Sequence, residues 1–207
     1  MQTLKDFFSQ MLQSVPTKRT LVQEYITTSK FSQDYILQLK SLFSALNALP
    51  KNDEDKFILY LDEEKKEQLV IDLSYELKEL KQDLLFMNYG FAALWASFQQ
   101  KHLGYFDKEV IELKEFLHGK RFRNFITDRD GTINNYCARY VTSVQSVYNA
   151  LLLTFFINAA AQNSIILTSA PLQNTGLMEL SILPDKTFVY AASKGREFID
   201  LQGKYFD

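Results

Sequence analysis

Apolar side chains recur at helical spacing over most of the first hundred residues. Over residues 3–14, the apolar positions lie three or four apart, which predicts a helix that Pro16 is expected to end. The same spacing predicts a second helix over residues 20–49, and the weak helix formers at 27–32 mark a break within it. Pro50 and the polar residues after it indicate a turn.

A third helical region is predicted over residues 53–102, with an interruption near 61–63. Residues 88–98 are apolar nearly all round, so we expect them to be buried on several sides. A fourth helix is predicted over 108–118, with Gly119 as its C-cap. These apolar stripes predict an antiparallel bundle of three or four helices. An extended coiled coil is not favoured, because no heptad pattern is sustained.

Beyond about residue 120, the pattern changes to strands separated by helices. Strands are predicted over 122–127, 164–168 and 187–191, with helices over 142–161 and 177–180 between them. Strands that alternate with helices favour a parallel sheet with right-handed crossovers. The predicted fold class is therefore multidomain α + α/β, with a helical bundle over residues 1–120 and a sheet domain over residues 121–207.

Charge and composition exclude several classes of function. The formal net charge is −2 and the pI is about 5.8, which gives no electrostatic basis for binding nucleic acid or an anionic membrane. Cys137 is the only cysteine, so an intrachain disulfide is excluded. The N-terminal residues lack the continuous apolar run of a signal peptide, and we expect a cytoplasmic protein.

The candidate chemistry lies at the end of the first predicted strand, where the sequence reads D-R-D-G-T over residues 128–132. Side chains of an extended chain alternate, so Asp128 and Asp130 are expected on one side and Arg129 on the other. Two carboxylates at a strand end form a site for a hard divalent cation, most naturally Mg²⁺. Gly131 allows the chain to turn away from the strand.

This run resembles the first signature of the haloacid dehalogenase (HAD) superfamily of phosphohydrolases. Together with I-I-L-T-S-A-P-L at 165–172 and S-K-G-R-E at 193–197, it is similar to trehalose-6-phosphate phosphatases, in the branch with an N-terminal helical domain known from nematodes. The resemblance implies a HAD-like Rossmannoid parallel sheet. It also implies Mg²⁺-dependent hydrolysis of a sugar phosphate, most naturally trehalose 6-phosphate, and an interaction role for the bundle through a protein partner or self-association.

The resemblance assigns roles to individual residues. Asp128 is implied to be the nucleophile that forms an aspartyl-phosphate, and Asp130 to be the general acid and base. Mg²⁺ would be held by Asp128 and by Asp130 through its backbone carbonyl. Thr168 is implied to bind the transferring phosphate, and Ser169 is the alternative if the register shifts by one residue.

The segment after the third strand is less informative. Lys194, Arg196 and Glu197 are candidates for contacting the substrate, but an ordinary exposed loop accounts for them equally well. Arg129 stands where the similar nematode enzymes have an aromatic residue, and we expect it to be structural or solvent-facing.

HAD phosphatases also use a downstream lysine, an acidic pair and a cap domain, for which residues after 197 leave no room. We therefore expect a fragment with little activity of its own, in which about three strands leave a sheet edge open. Two alternatives stay open. One is a non-catalytic interaction or regulatory protein built on the bundle, and the other is a HAD phosphohydrolase with a different substrate.

Overall fold

The computed structural model describes residues 2–62, 64, 67–102, 105–135, 137, 139–174 and 176–207. The helices of this described part are α1 Leu4–Thr28, α2 Gln33–Asn47, α3 Ser74–His102, α4 Tyr105–Leu117, α5 Val147–Ala160 and α6 Leu177–Leu180. The strands are β1 Phe57–Tyr60, β2 Gln68–Ile71, β3 Phe122–Asp128, β4 Ala161–Leu167, β5 Val189–Ala192, β6 Glu197–Ile199 and β7 Tyr205–Phe206. The predicted class, a helical bundle followed by a sheet with helices, is confirmed.

Helix α1 continues through Pro16, so the prediction that Pro16 ends it is wrong. The helix begins with a capping box between Thr3 and Asp6 and buries an apolar stripe on both sides of the proline. An interior proline costs about 3 kcal/mol. Burial of Phe7, Met11 and Leu21, at about 1.5–3 kcal/mol each, outweighs that cost. The predicted break near 27–32 is confirmed, because the chain leaves the helix at Ser29 with φ 56°.

Residues 57–60 and 68–71 form two paired β-strands, which contradicts the helix predicted from residue 53 onward. β1 pairs antiparallel with β2, with Phe57 opposite Ile71. Phe57, Leu59 and Ile71 are buried, so the alternate residues of β1 face the core. Because apolar residues in this stretch satisfy both helical and alternating spacing, periodicity alone did not separate the two. The interruption predicted at 61–63 includes residue 63, which lies outside the described residues.

Helix α3 kinks at Gly90, whose φ of 79° and ψ of −176° are not helical. The expectation that 88–98 is buried on several sides is wrong, since Tyr89 is 74% exposed and Phe91 is 48% exposed while Leu94 is fully buried. The kink turns part of this apolar segment away from the core. The predicted fourth helix corresponds to α4, and Gly119 follows it with φ 70°, as a C-cap requires.

The sheet of the second half has the order β3-β4-β5-β6-β7. β3, β4 and β5 are parallel, and α5 connects the first two, as the alternating pattern predicted. β6 and β7 continue the sheet antiparallel, so the expectation of about three strands with an open edge after the third is wrong. These strands are only three and two residues long, which is too short to give a periodic signal in the sequence.

The helical half packs directly on the sheet half. α1 and α3 both contact α5, and buried side chains from all of these elements form one continuous core. The division at residue 120 stays a prediction. No helix in the described part of the chain is long and apolar enough to span a bilayer.

Candidate active site at the carboxyl ends of the parallel strands

The carboxyl ends of β3 and β4 meet at one edge of the sheet. Asp128 pairs in register with Leu167, so the residues just beyond each strand are neighbours. The Thr168 hydroxyl lies 3.4 Å from Asp130 Oδ2 and accepts a hydrogen bond from the Ala170 N–H at 3.2 Å. In open α/β sheets, this edge is where ligands bind. The structure thus brings Asp128, Asp130 and Thr168 together.

A tight turn carries Asp130. The Gly131 N–H donates to the Asn134 carbonyl at 2.8 Å, and the Asn134 N–H donates to the Arg129 carbonyl at 2.9 Å. Gly131 adopts φ 85°, a left-handed conformation that favours glycine. The turn follows from this glycine and fixes Asp130 against the end of β4.

Arg129 is 3% exposed, so it is structural and not solvent-facing. Its guanidinium donates to the Asp130 carboxylate, to the Ser143 hydroxyl at 3.3 Å and to the Ser143 carbonyl. It also lies 5.4 Å from the centre of the Tyr140 ring, within range of a cation–π contact. The expectation that the Arg129 and Asp130 side chains lie on opposite sides of the chain is wrong. β3 ends at Asp128, so side chains no longer alternate between the two sides beyond it.

Asp128 and Ser169 are both exposed at the strand ends. The carbonyl of Asp128 accepts a hydrogen bond from the Thr127 hydroxyl at 2.9 Å. By contrast, Thr168 is only 5% exposed and is held by its hydrogen bonds. Of the two neighbouring candidates for binding phosphate, Thr168 is therefore the one fixed beside the carboxylates.

The turn after β5 is tied to the same edge. The Lys194 N–H donates to the Thr168 carbonyl at 3.1 Å, and the Ser193 N–H donates to the Ala170 carbonyl at 2.8 Å. Lys194 is exposed and adopts φ 62°. The Lys194 backbone is therefore hydrogen-bonded to Thr168, the residue that lies beside Asp130.

Arg196 and Glu197 have local contacts in this turn. The exposed Arg196 donates through Nε to the Ser193 carbonyl at 3.0 Å. The Glu197 carboxylate accepts from the Leu172 N–H at 2.9 Å and so anchors the loop after β4. These contacts favour a structural role for Glu197, and substrate contact by Lys194 and Arg196 stays a prediction.

A buried polar network between α3 and the segment after the turn was not predicted. Glu76, Glu79 and Asp83 are 0–3% exposed and face the residues that follow the D-R-D-G-T run. Glu76 binds Arg139 through both carboxylate oxygens at 2.9 Å. Glu76, Glu79 and Asp83 are spaced i, i+3, i+7, which places all three on one face of a helix. This spacing was the sequence signal from which the network could have been predicted.

This network includes a buried ion pair between Lys18 and Asp83, which are 1% and 0% exposed. Lys18 Nζ lies 2.8 Å from Asp83 Oδ2 and donates to the Gln145 carbonyl at 3.2 Å. Asp83 Oδ1 accepts from the N–H groups of Val147 at 2.6 Å and Tyr148 at 3.2 Å. One carboxylate therefore caps α5 and joins α1 to α3.

Burial perturbs several ionisable groups near the site. Burial raises the pKa of the Tyr140 phenol to about 12, although Arg129 opposes the shift. Burial, with a smaller contribution from Glu79, also raises the pKa of Tyr148. Burial and then Glu76 raise the pKa of the Cys137 thiol, which keeps it protonated. Both phenols stay protonated at neutral pH, and the Tyr148 hydroxyl contacts Glu79 at 3.2 Å. Because its thiol is protonated, Cys137 is not an activated nucleophile.

The oxygen donors at the strand ends suit a hard cation. Within the described residues, no three His, Cys, Asp or Glu side chains come together as a metal cluster. Mg²⁺ commonly binds through one or two carboxylates and completes its shell with water and substrate phosphate. The exposed Asp128 carboxylate fits that pattern, whereas the Asp130 carboxylate is engaged by Arg129 and Thr168.

Comparison with known proteins accounts for both halves of the chain. The family model "Trehalose-6-phosphate phosphatase N-terminal helical bundle domain" matches residues 3–102, and the model "Trehalose-6-phosphate phosphatase, C-terminal" matches residues 125–207. The chain belongs to the trehalose-6-phosphate phosphatase family. The resemblance read from the sequence motifs is thereby confirmed.

Individual relatives in this family come from nematodes. The chain is 31% identical over 227 residues to an alpha,alpha-trehalose-phosphate synthase [UDP-forming] 2 of Aphelenchoides avenae, covering 99% of this chain and 17% of the relative. It is 25% identical over 226 residues to a trehalose-phosphatase of Brugia malayi, covering 95% of this chain and 45% of the relative. It is 26% identical over 227 residues to a trehalose-phosphatase of Caenorhabditis elegans, covering 95% of this chain and 50% of the relative. The chain thus spans about half the length of these phosphatases and under a fifth of the synthase.

Proposed function

We propose that this chain supplies the nucleophile-bearing part of a phosphatase site that cleaves trehalose 6-phosphate. The observation that carries the proposal is the meeting of Asp128, Asp130 and Thr168 at the carboxyl ends of β3 and β4, with Thr168 Oγ1 3.4 Å from Asp130 Oδ2. Membership of the trehalose-6-phosphate phosphatase family supports the choice of substrate.

In the proposed reaction, a carboxylate oxygen of Asp128 attacks phosphorus and forms an aspartyl-phosphate. The bond between phosphorus and the sugar oxygen breaks, and Asp130 gives that oxygen a proton. Asp130 then takes a proton from the water that attacks the aspartyl-phosphate, which releases phosphate and restores Asp128. The ion pair with Arg129 would hold the Asp130 carboxylate in place through both steps.

The remaining groups act on the transferring phosphate. Thr168 would donate a hydrogen bond from its hydroxyl group to a phosphate oxygen. Lys194 lies on a turn whose backbone N–H is hydrogen-bonded to the Thr168 carbonyl. Asp128 and the backbone carbonyl of Asp130 would hold Mg²⁺, which when bound draws charge away from the phosphoryl group.

The test is phosphate release from trehalose 6-phosphate with Mg²⁺, by the longest protein that the transcript encodes. Asp128→Asn is expected to abolish release, and Thr168→Val to lower the rate by about 100-fold, as for removal of one oxyanion donor. Asp53→Asn, which changes an exposed aspartate far from the site in sequence, is the matched control and should leave the rate unchanged. Turnover retained in Asp128→Asn would exclude Asp128 as the nucleophile. If the folded protein without substitutions releases no phosphate from trehalose 6-phosphate, the phosphatase proposal is contradicted.

A second candidate, a protein-interaction role for the helical half, is favoured by an apolar surface. The side chains of Tyr89 and Phe91, which flank Gly90 at the α3 kink, and of Ile111 and Phe116 on α4 are 48–74% exposed. Single exposed apolar residues are ordinary, but a group on adjacent helices marks an interaction surface. Light scattering of the chain and of Phe116→Ser would test self-association through it, and a monomer in both cases would contradict self-association.

A further inference from the structure

The turn that carries Asp130 is docked onto helix α3 by two consecutive asparagines. Asn134 Nδ2 donates a hydrogen bond to the Tyr75 hydroxyl at 3.2 Å. Asn135 Nδ2 donates to the Glu79 carboxylate at 2.5 Å. Because Tyr75 and Glu79 lie four residues apart, they share one face of α3. The helical half of the chain therefore contacts the turn of the candidate active site directly.

Asn134 joins this contact to the backbone of the turn. It is 3% exposed, and its N–H donates to the Arg129 carbonyl at 2.9 Å. Its own carbonyl accepts from the Gly131 N–H at 2.8 Å. Asn134 is thus bonded through its side chain to Tyr75 and through its backbone to the two residues that flank Asp130.

The Asn134 side chain is also linked to Arg129 through Ser143. The Ser143 hydroxyl accepts from Asn134 Nδ2 at 2.9 Å and from the Arg129 guanidinium at 3.3 Å. The Ser143 carbonyl accepts a further hydrogen bond from the same guanidinium. A buried guanidinium is costly unless its N–H groups are paired, so these bonds determine where the Arg129 side chain lies.

Arg129 in turn selects which carboxylate oxygen of Asp130 is directed at the site. Its guanidinium pairs with Oδ1, whereas Oδ2 lies 3.4 Å from the Thr168 hydroxyl. Because Oδ1 is held by a cation, Oδ2 is the oxygen placed to exchange a proton with the sugar oxygen and then with water. The orientation of the general acid and base therefore depends on the position of Arg129.

We propose that Tyr75, in the helical half of the chain, is a positioning residue for Asp130. It acts through the side chains of Asn134 and Ser143, which hold Arg129 against the Asp130 carboxylate. The inference rests on the phosphatase function proposed above, and it makes the helical half a part of the active site. Since a displacement of about 1 Å can cost about 100-fold in rate, one hydroxyl group on α3 is enough to influence turnover.

The test measures kcat and KM for trehalose 6-phosphate with Mg²⁺, in the longest protein that the transcript encodes. Tyr75→Phe, which removes one hydroxyl group, is expected to lower kcat by about tenfold and to change KM by less than about twofold, because Asp130 moves protons only during the reaction. Tyr89→Phe is the matched control. It makes the same change on the same helix at a side chain that is 74% exposed, and both constants should stay unchanged.

A double variant distinguishes positioning from a general loss of stability. Arg129→Met should lower kcat by about 100-fold, at the lower end of a general acid and base contribution. In the Arg129→Met background, Tyr75→Phe should change kcat by less than about twofold, because the route from Tyr75 to Asp130 is already broken. The same tenfold loss in both backgrounds would overturn the proposal. A raised KM with unchanged kcat would also overturn it, since Tyr75 would then act on substrate binding.

A second cycle, on the 207-residue chain itself, needs no turnover. It compares the urea unfolding midpoints of Tyr75→Phe, Arg129→Met and the double variant. We expect the double variant to shift the midpoint by less than the sum of the two single shifts, because both changes break one network. Additive shifts would overturn the proposal. If the protein without substitutions releases no phosphate, the proposed function fails, whereas non-additive midpoints would still support the coupling of Tyr75 to Arg129.

Discussion

The ion pair between Lys18 and Asp83 offers the sharpest test of how the two halves of the chain are joined. Among the described residues, Lys18 is the one cation that forms an ion pair with Asp83, so Lys18→Met removes that partner and leaves the carboxylate buried at 0% exposure. Breaking a buried pair on one side costs about 3–5 kcal/mol, because the remaining charge is neither solvated nor compensated. With a urea m-value of about 2 kcal/mol/M, the unfolding midpoint should fall by about 2 M.

The double variant Lys18→Met, Asp83→Asn distinguishes an electrostatic effect from lost packing. Asparagine keeps an oxygen that can accept from the Val147 and Tyr148 N–H groups, and the pair is then neutral on both sides. We expect the double variant to be more stable than the sum of the single effects predicts, with a coupling free energy of about 2–3 kcal/mol.

Urea unfolding followed by far-ultraviolet circular dichroism measures each free energy. Lys56→Met, which breaks an exposed pair with Glu54, is the control and should change stability by no more than about 0.5 kcal/mol. If the two single effects at Lys18 and Asp83 add within about 0.5 kcal/mol, the pair is uncoupled and the reasoning is refuted.

Two further predictions concern the helices. Gly90→Ala should destabilise the chain by about 1–3 kcal/mol, because φ 79° with ψ −176° is a conformation that only glycine adopts readily. No atom lies within 4 Å of the added Cβ, so a stabilised Gly90→Ala protein in thermal unfolding would show that backbone strain is absent. Hydrogen bonds from the Thr3 side chain, and then from its backbone, lower the pKa of Asp6 below its ordinary value of 3.8. Its stabilising contribution is therefore present above the ordinary pKa and is lost as the pH falls through the lower folded value. Asp6→Asn should flatten this acid limb of the stability profile, and an unchanged slope between about pH 5 and pH 2 would contradict the capping-box interpretation.

Local sequence determined the elements whose signals are local. The spacing of apolar residues and the glycine at 119 located the end of α4, and alternation between strand and helix patterns predicted the three parallel strands and α6. The D-x-D-G-T run predicted a turn at Gly131, because φ 85° is open to glycine and costly for other residues. Motifs also indicated the family, which the family models confirmed.

Tertiary structure decided what depends on distant partners. Pro16 lies inside α1 because both halves of that helix bury apolar residues in the same core, a gain that the local cost of proline does not reveal. β1 and β2 are strands because each pairs with the other, although their apolar spacing also fits a helix. The environment of Asp130 was likewise decided at long range, since Thr168 lies 38 residues away and Arg129 is oriented by Ser143. Spacing along the chain specifies which residues can share a face, but only packing determines which charged and polar groups from separate elements meet.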